Sequence, residues 1–281
     1  MGWVEPVSTA VKAASLANSL QSSKRIRSYS SRIGFWLKNG SAKIPIFGAG
    51  GVGKTTVAKV ITSDNPLDLS APYDESWLIE PIDLQGPIPG QLLIAPGQIE
   101  RVERHWPTLL SKVGEGECFG LINVVSWGYH SFAIRSITEH TLYQPGTSAI
   151  EFMEVYATAR RQVEMDLLLR IADGLVNLNH PIWMLTIVNK QDLWWDQRQA
   201  VRQHYEQAEY NQIVRKLTST IGERNFQHEY IPASLTLGNF QTLSGELLRP
   251  TVSGYDQGIH LQYLQVLFDK LYTLIGQGQP Q

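Results

Sequence analysis

The sequence has one cysteine, Cys118, among 281 residues, which excludes an intrachain disulfide and any cysteine-rich metal centre. It has no apolar run approaching the ~20 residues that a helix needs to cross a bilayer. Its seven histidines (His105, His130, His140, His180, His204, His228 and His260) are scattered without metal-ligand spacing, so they read as surface or core groups. Excess charge is lacking too. Twenty-four Lys and Arg stand against 26 Asp and Glu, a formal net charge of −2. A chain that displaces counterions from nucleic acid needs surplus cations, so no nucleic-acid partner is expected. Met1-Gly-Trp-Val-Glu-Pro has no apolar core of a secretory signal. Pro6 stands where N-myristoylation requires Ser or Thr. With the lone thiol, these absences predict a cytoplasmic protein.

What is present is ordinary in bulk: 43% hydrophobic and 18% charged residues, enough apolar material for a sizeable core. The near-neutral sum conceals a polarised chain. Residues 1–43 carry seven basic groups and only Glu5, a surplus of six, and the other 238 residues therefore carry −8. Val7, Val11, Ala14 and Leu20 recur at helical spacing, and a basic, serine-rich stretch follows from Ser22 to Arg32. Residues 1–41 are expected to form a basic amphipathic helical appendage, packed on the main domain or reaching for a partner protein. The weak apolar stripe argues against tight membrane binding, and peripheral membrane contact through residues 1–38 is the less favoured alternative.

After the turn signal Asn39-Gly40-Ser41, short apolar runs alternate with amphipathic stretches, the texture of an α/β domain. The predicted strands are Ile44–Phe47, Trp77–Ile82, Gln91–Ile94, Phe119–Val125, Ile182–Val188 and Tyr230–Ala233. The predicted helices are Lys54–Ile61, Gln98–Val113, Ala149–Leu178, Gln197–Ile221 and His260–Ile275. The loop Gln85–Gly90 joins a hairpin, so one edge strand should run antiparallel. An aromatic-rich insertion, residues 127–146, is long enough to be either a lid or an effector contact.

Gly48-Ala49-Gly50-Gly51-Val52-Gly53-Lys54-Thr55-Thr56 fits G-x-x-x-x-G-K-[ST], with a strand before it and a helix after it. Glycines let successive backbone N–H groups face a phosphate, and the helix N-terminus adds its dipole. Lys54 would neutralise β- and γ-phosphates, and the Thr55 hydroxyl would ligate Mg2+. The fold expected is a P-loop NTPase three-layer sandwich, a mostly parallel six-stranded sheet with helices on both faces, spanning residues 42–276 and followed by a flexible tail, 277–281.

The strand Thr186-Ile-Val ends in Asn189-Lys190-Gln191-Asp192, and here the chain resembles the Ras-like GTPases, whose N-K-x-D motif selects guanine. The resemblance implies GTP or GDP as ligand, with Mg2+. Asp192 would accept the guanine N1–H and amine, donors that adenine does not offer. Asn189 would tie the motif to the phosphate loop, and the Lys190 stem would cover the base. Ser234 and Leu235, in Tyr230-Ile-Pro-Ala-Ser-Leu, would offer a backbone N–H to the guanine oxygen, with Leu235 where alanine is usual. Trp194-Trp195 either shields the base or starts the next helix.

The hydrolytic motif departs from that family. Ile94-Ala95-Pro96-Gly97-Gln98 matches D-x-P-G-Q with Ile94 in place of aspartate. Gly97 would sense the γ-phosphate and Gln98 would orient water. A literal D-x-x-G, Asp83-Leu-Gln-Gly86, is the rival alignment, disfavoured because a loop and another strand follow it. Ser70 is a candidate for the switch hydroxyl on Mg2+. The resulting expectation is a nucleotide switch, slowly hydrolytic through Lys54 and Gln98, working with an effector or complex subunit. The alternatives are a hydrolysis-deficient GTP-binding interaction module and a P-loop ATPase.

Overall fold

The computed structural model describes residues 43–62, 80–83 and 91–277. The appendage expected over 1–41, Ser70, Leu84–Gly86 and residues 278–281 lie outside the described residues. Strands β1 (Lys43–Gly48), β2 (Glu80–Asp83), β3 (Gln91–Ile94), β4 (Gly120–Val125), β5 (Ile182–Val188) and β6 (Phe226–Pro232) form one sheet, in the order β2-β3-β1-β4-β5-β6. Neighbours are parallel except β2, which runs antiparallel to β3. Every residue of β4 and β5 is buried, as expected of strands covered on both faces whose apolar runs are interrupted only by Asn123 and Thr186.

The chain passes from β1 to β3 in one direction and from β3 past β1 to β4 in the other. Right-handed crossovers therefore put α1 (Lys54–Thr62) on one face. They put α2 (Ile99–Gly114) and α3 (Ala149–Leu175) on the other. A single turn, α4 (Gln191–Trp194), leads into α5 (Arg198–Glu206) and α6 (Glu209–Ile221), and α7 (Gln257–Gln277) closes the chain. Consecutive residues of β6 show both layers, since strand side chains alternate in direction. The Tyr230 hydroxyl donates to Asn211 Oδ1 of α6 at 3.3 Å, whereas Glu229 accepts from Lys270 Nζ of α7 at 2.7 Å. The direction of winding reverses at β1, and in open α/β sheets ligands bind at such a switch point, beyond the carboxyl ends of the strands.

Three sequence expectations need correction. The helix predicted over Gln197–Ile221 is two helices, because Gln207 and Ala208 leave helical dihedrals (φ −130°, ψ −30° and φ −92°, ψ −154°). The last strand starts at Phe226 rather than Tyr230. Its edge position leaves Gln227 exposed and His228 and Glu229 half-buried, so the apolar signal covers only its second half. A small hairpin of β7 (Phe240–Gln241) and β8 (Leu247–Arg249) was not anticipated. The long helix, by contrast, starts where Ser148 and Glu151 form a reciprocal capping box, satisfying orphan N–H groups of its first turn.

Among the histidines that burial holds neutral, two are shifted far. His228 is pushed down to about 3 and His260 to about 4. Each takes up a proton more readily unfolded than folded, so their contribution is present above the unfolded value of 6.5 and is lost as pH falls toward the folded value. Between pH 6.5 and 5 we expect each to remove about 2 kcal/mol of stability. Urea denaturation at both pH values checks this, with His260→Leu flattening the dependence.

Candidate nucleotide-binding site

The phosphate loop leaves the end of β1 and enters α1 at Lys54. Gly51 shows why a side chain is excluded. It has φ +77°, and a Cβ there would lie 2.1 Å from the Ser131 carbonyl oxygen. Lys54 is buried, and its Nζ donates to the carbonyls of Ala49 at 2.7 Å and Gly48 at 3.0 Å. Val52 is fully buried beneath the loop, and Thr55 and Thr56 form the first turn of α1. A backbone cradle with a buried ammonium and a helix N-terminus fits the phosphates of a nucleotide.

Gly97 stands against this loop. Ala95 N–H donates to the Ile46 carbonyl at 3.0 Å, Trp106 Nε1 donates to the Pro96 carbonyl at 2.9 Å, and Gly50 N–H donates to the Gly97 carbonyl at 2.9 Å. The backbone register decides between the two D-x-x-G alignments. Ile94 pairs with Ile46 near the loop, while Asp83 pairs with Gln91, which pairs with Lys43 at the far end of β1. Five residues of strand, roughly 16 Å, separate that end from Gly48. Asp83 is thus excluded, and Ile94, fully buried, holds the aspartate's position. A Cβ on Gly97 would lie 2.4 Å from Ala49 C and 2.5 Å from Gly50 N. Gly97→Ala is expected to weaken nucleotide affinity at least about tenfold with the fold retained, as read by fluorescence titration.

The base motif is bolted to the phosphate loop. Asn189 Nδ2 donates to the Val52 carbonyl at 2.7 Å, and Asn189 Oδ1 accepts from Leu235 N–H at 3.2 Å. Lys190, at φ +58°, donates to the carbonyls of Gly51 at 2.9 Å and Tyr129 at 2.6 Å and to Ser131 Oγ at 2.8 Å. Burial lowers its pKa to about 7, against the pull of Asp192 and Glu164. Asp192 is buried and its pKa is raised, desolvation outweighing the bonds from Ser234 and Gly238. Ser234 Oγ donates to Asp192 Oδ1. Trp194 donates through Nε1 to the Asn189 carbonyl at 2.8 Å, so it buttresses the motif. Trp195 packs edge-on against Tyr255 and Tyr263, ring centroids 5.4 Å and 5.9 Å away. Both tryptophans are structural.

Sequence reasoning missed the part played by the 127–146 insertion. Ser131 N–H donates to the Gly51 carbonyl at 3.0 Å, which seats the insertion on the phosphate loop. Its anchor is Glu164 of α3, a fully buried carboxylate. Oε1 accepts from Ser126 N–H at 2.8 Å and Gly128 N–H at 3.3 Å and meets His130 Nε2 at 2.9 Å, while Oε2 accepts from the Tyr205 hydroxyl at 2.5 Å. Burial alone would raise the Glu164 pKa, but His130, Tyr205 and Ser126 outweigh it and hold the carboxyl below its usual value. Burial keeps His130 neutral. Phe132 packs edge-on against Tyr156 and Phe240, at 5.0 Å and 5.3 Å, closing the insertion over the core. Between it, the phosphate loop and α2 lies a cavity of about 480 Å³ whose walls include Gly50, Gly97, Gln98, His130 and Arg160.

For Mg2+, the donor set gives the Thr55 hydroxyl at the start of α1, but Ile94 supplies no oxygen. No group of three or more His, Cys, Asp and Glu arranged for a metal ion occurs among the described residues. The fit is to a cation held by one hydroxyl and a nucleotide's own phosphate oxygens. No described helix is long and apolar enough to cross a membrane.

Compared by sequence, the chain matches no protein-family model and no curated protein. Among solved structures it is similar to an ADP-ribosylation-factor-like GTP-binding protein, the small COPII coat GTPase SAR1 from Encephalitozoon cuniculi, in complex with GDP. That match has 13% identity over 95% of this chain and 98% of the other, at a TM-score of 0.38. The GDP-bound signal recognition particle receptor SRb from Chaetomium thermophilum is 12% identical over 69% of this chain and 89% of its own, at 0.38. Toc33 from Arabidopsis thaliana with Mg2+ and GMPPNP is 9% identical over 92% and 93%, at 0.40. The α/β assignment rests on the strand register, and the chemistry on the contacts above.

Proposed function

We propose that the chain is a guanine-nucleotide-binding switch that hydrolyses GTP slowly and presents its nucleotide state to a protein partner. The observation that carries this reading is the direct bonding of the base motif to the phosphate loop. Asn189 reaches Val52 across 137 residues of sequence, and Lys190 reaches Gly51 across 139. An accidental N-K-x-D in another kind of P-loop protein has no reason to meet the loop through these two side chains.

In this reading the loop's N–H groups and Lys54 cradle the β- and γ-phosphates, and charge developing on the γ-phosphate in transfer is met by the Lys54 ammonium. Thr55 would hold Mg2+, whose charge offsets that of the phosphate oxygens. Gln98, at the start of α2 and beside Gly97, orients water for in-line attack. Residues 94–105, which contact the loop through Gly97, would change order with nucleotide state and give the partner its surface.

A second reading is favoured by Ile94: a GTP-binding interaction module with little turnover, since a buried isoleucine cannot hold the hydration shell of a cation. Single-turnover phosphate release with excess protein separates the two. The switch reading expects release above the rate of nucleotide alone, falling at least about tenfold in Gln98→Ala. Release no faster than that control removes hydrolysis and leaves the module.

A further inference from the structure

Asp192 already has donors on both carboxylate oxygens. Besides Ser234 on Oδ1, Gly238 N–H donates to Oδ2 at 3.1 Å, and the Thr251 hydroxyl approaches the same oxygen at 3.4 Å. The Asp192 carbonyl accepts from Val252 N–H at 2.8 Å. Leu235 N–H, the donor expected for the guanine oxygen, is directed to Asn189 Oδ1. Gly238, Thr251 and Val252 lie on the two limbs that flank the β7–β8 hairpin. Asn239 Oδ1 joins the limbs by accepting from Thr251 N–H at 3.0 Å. Arg249 latches the hairpin to the base motif, donating to both Asp196 oxygens at 2.6 Å and to the Leu193 carbonyl at 3.0 Å.

We propose that residues 236–252 form an internal strap on the base-reading edge, with Gly238 and Thr251 determining guanine affinity by competing for Asp192. This rests on the reading of Asp192 as the guanine-selecting residue. Guanine offers two adjacent donors, the ring N1–H and the exocyclic amine. The carboxylate has about four acceptor sites, of which Ser234, Gly238 and Thr251 take three, so guanine's two donors enter only as a strap donor leaves. Guanine nucleotide therefore enters as the strap withdraws, carrying the hairpin with it. Adenine has no donor pair to exchange for the strap's, because leaving the buried carboxylate unpaired is unfavourable. Inorganic pyrophosphate, which fills only the phosphate loop, leaves the strap where it is.

Hydrogen exchange of the full chain across residues 236–252, without ligand and with GDP, ADP or pyrophosphate in Mg2+ buffer, tests this. GDP is expected to speed exchange at the Gly238 and Val252 amides at least about tenfold, with ADP and pyrophosphate leaving them unchanged. Thr251→Val and Arg249→Gln, which remove a competing donor and the latch, should tighten GDP binding about three- to tenfold, the scale of one net hydrogen bond. GDP binding only to these variants also supports the strap, as one that closes the edge fully. GDP binding to the wild-type chain with those amides exchanging at the unliganded rate or slower overturns the strap and leaves guanine recognition standing. No GDP binding to the wild-type chain or either variant overturns both.

Discussion

Lys54→Ala is expected to weaken nucleotide binding by at least about a hundredfold, close to 3 kcal/mol, while the folded chain keeps nearly its original thermal midpoint. The Lys54 ammonium is buried where the loop meets α1, and its partners include the carbonyls of Gly48 and Ala49. A charged donor on phosphate is among the stronger contacts in a site, and a water-poor position strengthens it further. Removing the whole side chain also removes a buried charge, so the lost bonds and the relieved desolvation act in opposite directions on stability. Calorimetric titration with GDP, paired with thermal unfolding of the unliganded protein, separates the two effects. Equal affinity in the variant would mean that the loop does not hold phosphate.

Glu164→Ala is expected to destabilise the chain by about 3–5 kcal/mol, the scale of breaking a buried charged network by removing one member. Its carboxylate receives two backbone N–H groups, the Tyr205 hydroxyl and the His130 ring. Taking it away leaves the Ser126 and Gly128 N–H groups and the Tyr205 hydroxyl proton without their buried acceptor. The effect has a functional side. Ser126, Gly128 and His130 lead directly into Ser131, which bonds to Gly51 and Lys190. Loss of the anchor should therefore also loosen the phosphate loop, and Tyr205→Phe, which removes one donor to Glu164 and the acceptor of the Trp127 N–H, should reproduce a smaller part of both effects. Urea denaturation gives the stability change. A fluorescence titration under conditions where the variant remains folded gives the affinity.

The sequence made the local half of the site readable and concealed the half built from distant residues. Gly48–Thr56 announces itself because a phosphate cradle needs glycines and a Lys-Thr pair in consecutive positions. Asn189, Lys190 and Asp192 share one strand end for the same reason. Gly97 could be aligned because Pro-Gly-Gln runs straight from strand to helix, and the β1–β3 register agrees. No spacing rule marks Gly238 and Thr251, which lie 46 and 59 residues from Asp192. Nor does one mark Glu164, one of five acidic residues in a 27-residue helix. Their roles come from tertiary approach alone. The break between α5 and α6 was hidden because Gln207-Ala208 carries neither Gly nor Pro. The start of β6 was hidden because an edge strand tolerates Gln227, His228 and Glu229 in place of apolar residues.

Guanine selection through Asp192 is the central claim. Nucleotide-stripped protein titrated calorimetrically with GDP and with ADP in Mg2+ buffer should bind GDP at least about tenfold more tightly. Asp192→Asn should abolish that preference while binding to the phosphate loop persists. Equal affinity for the two nucleotides, unaltered by Asp192→Asn, would contradict it.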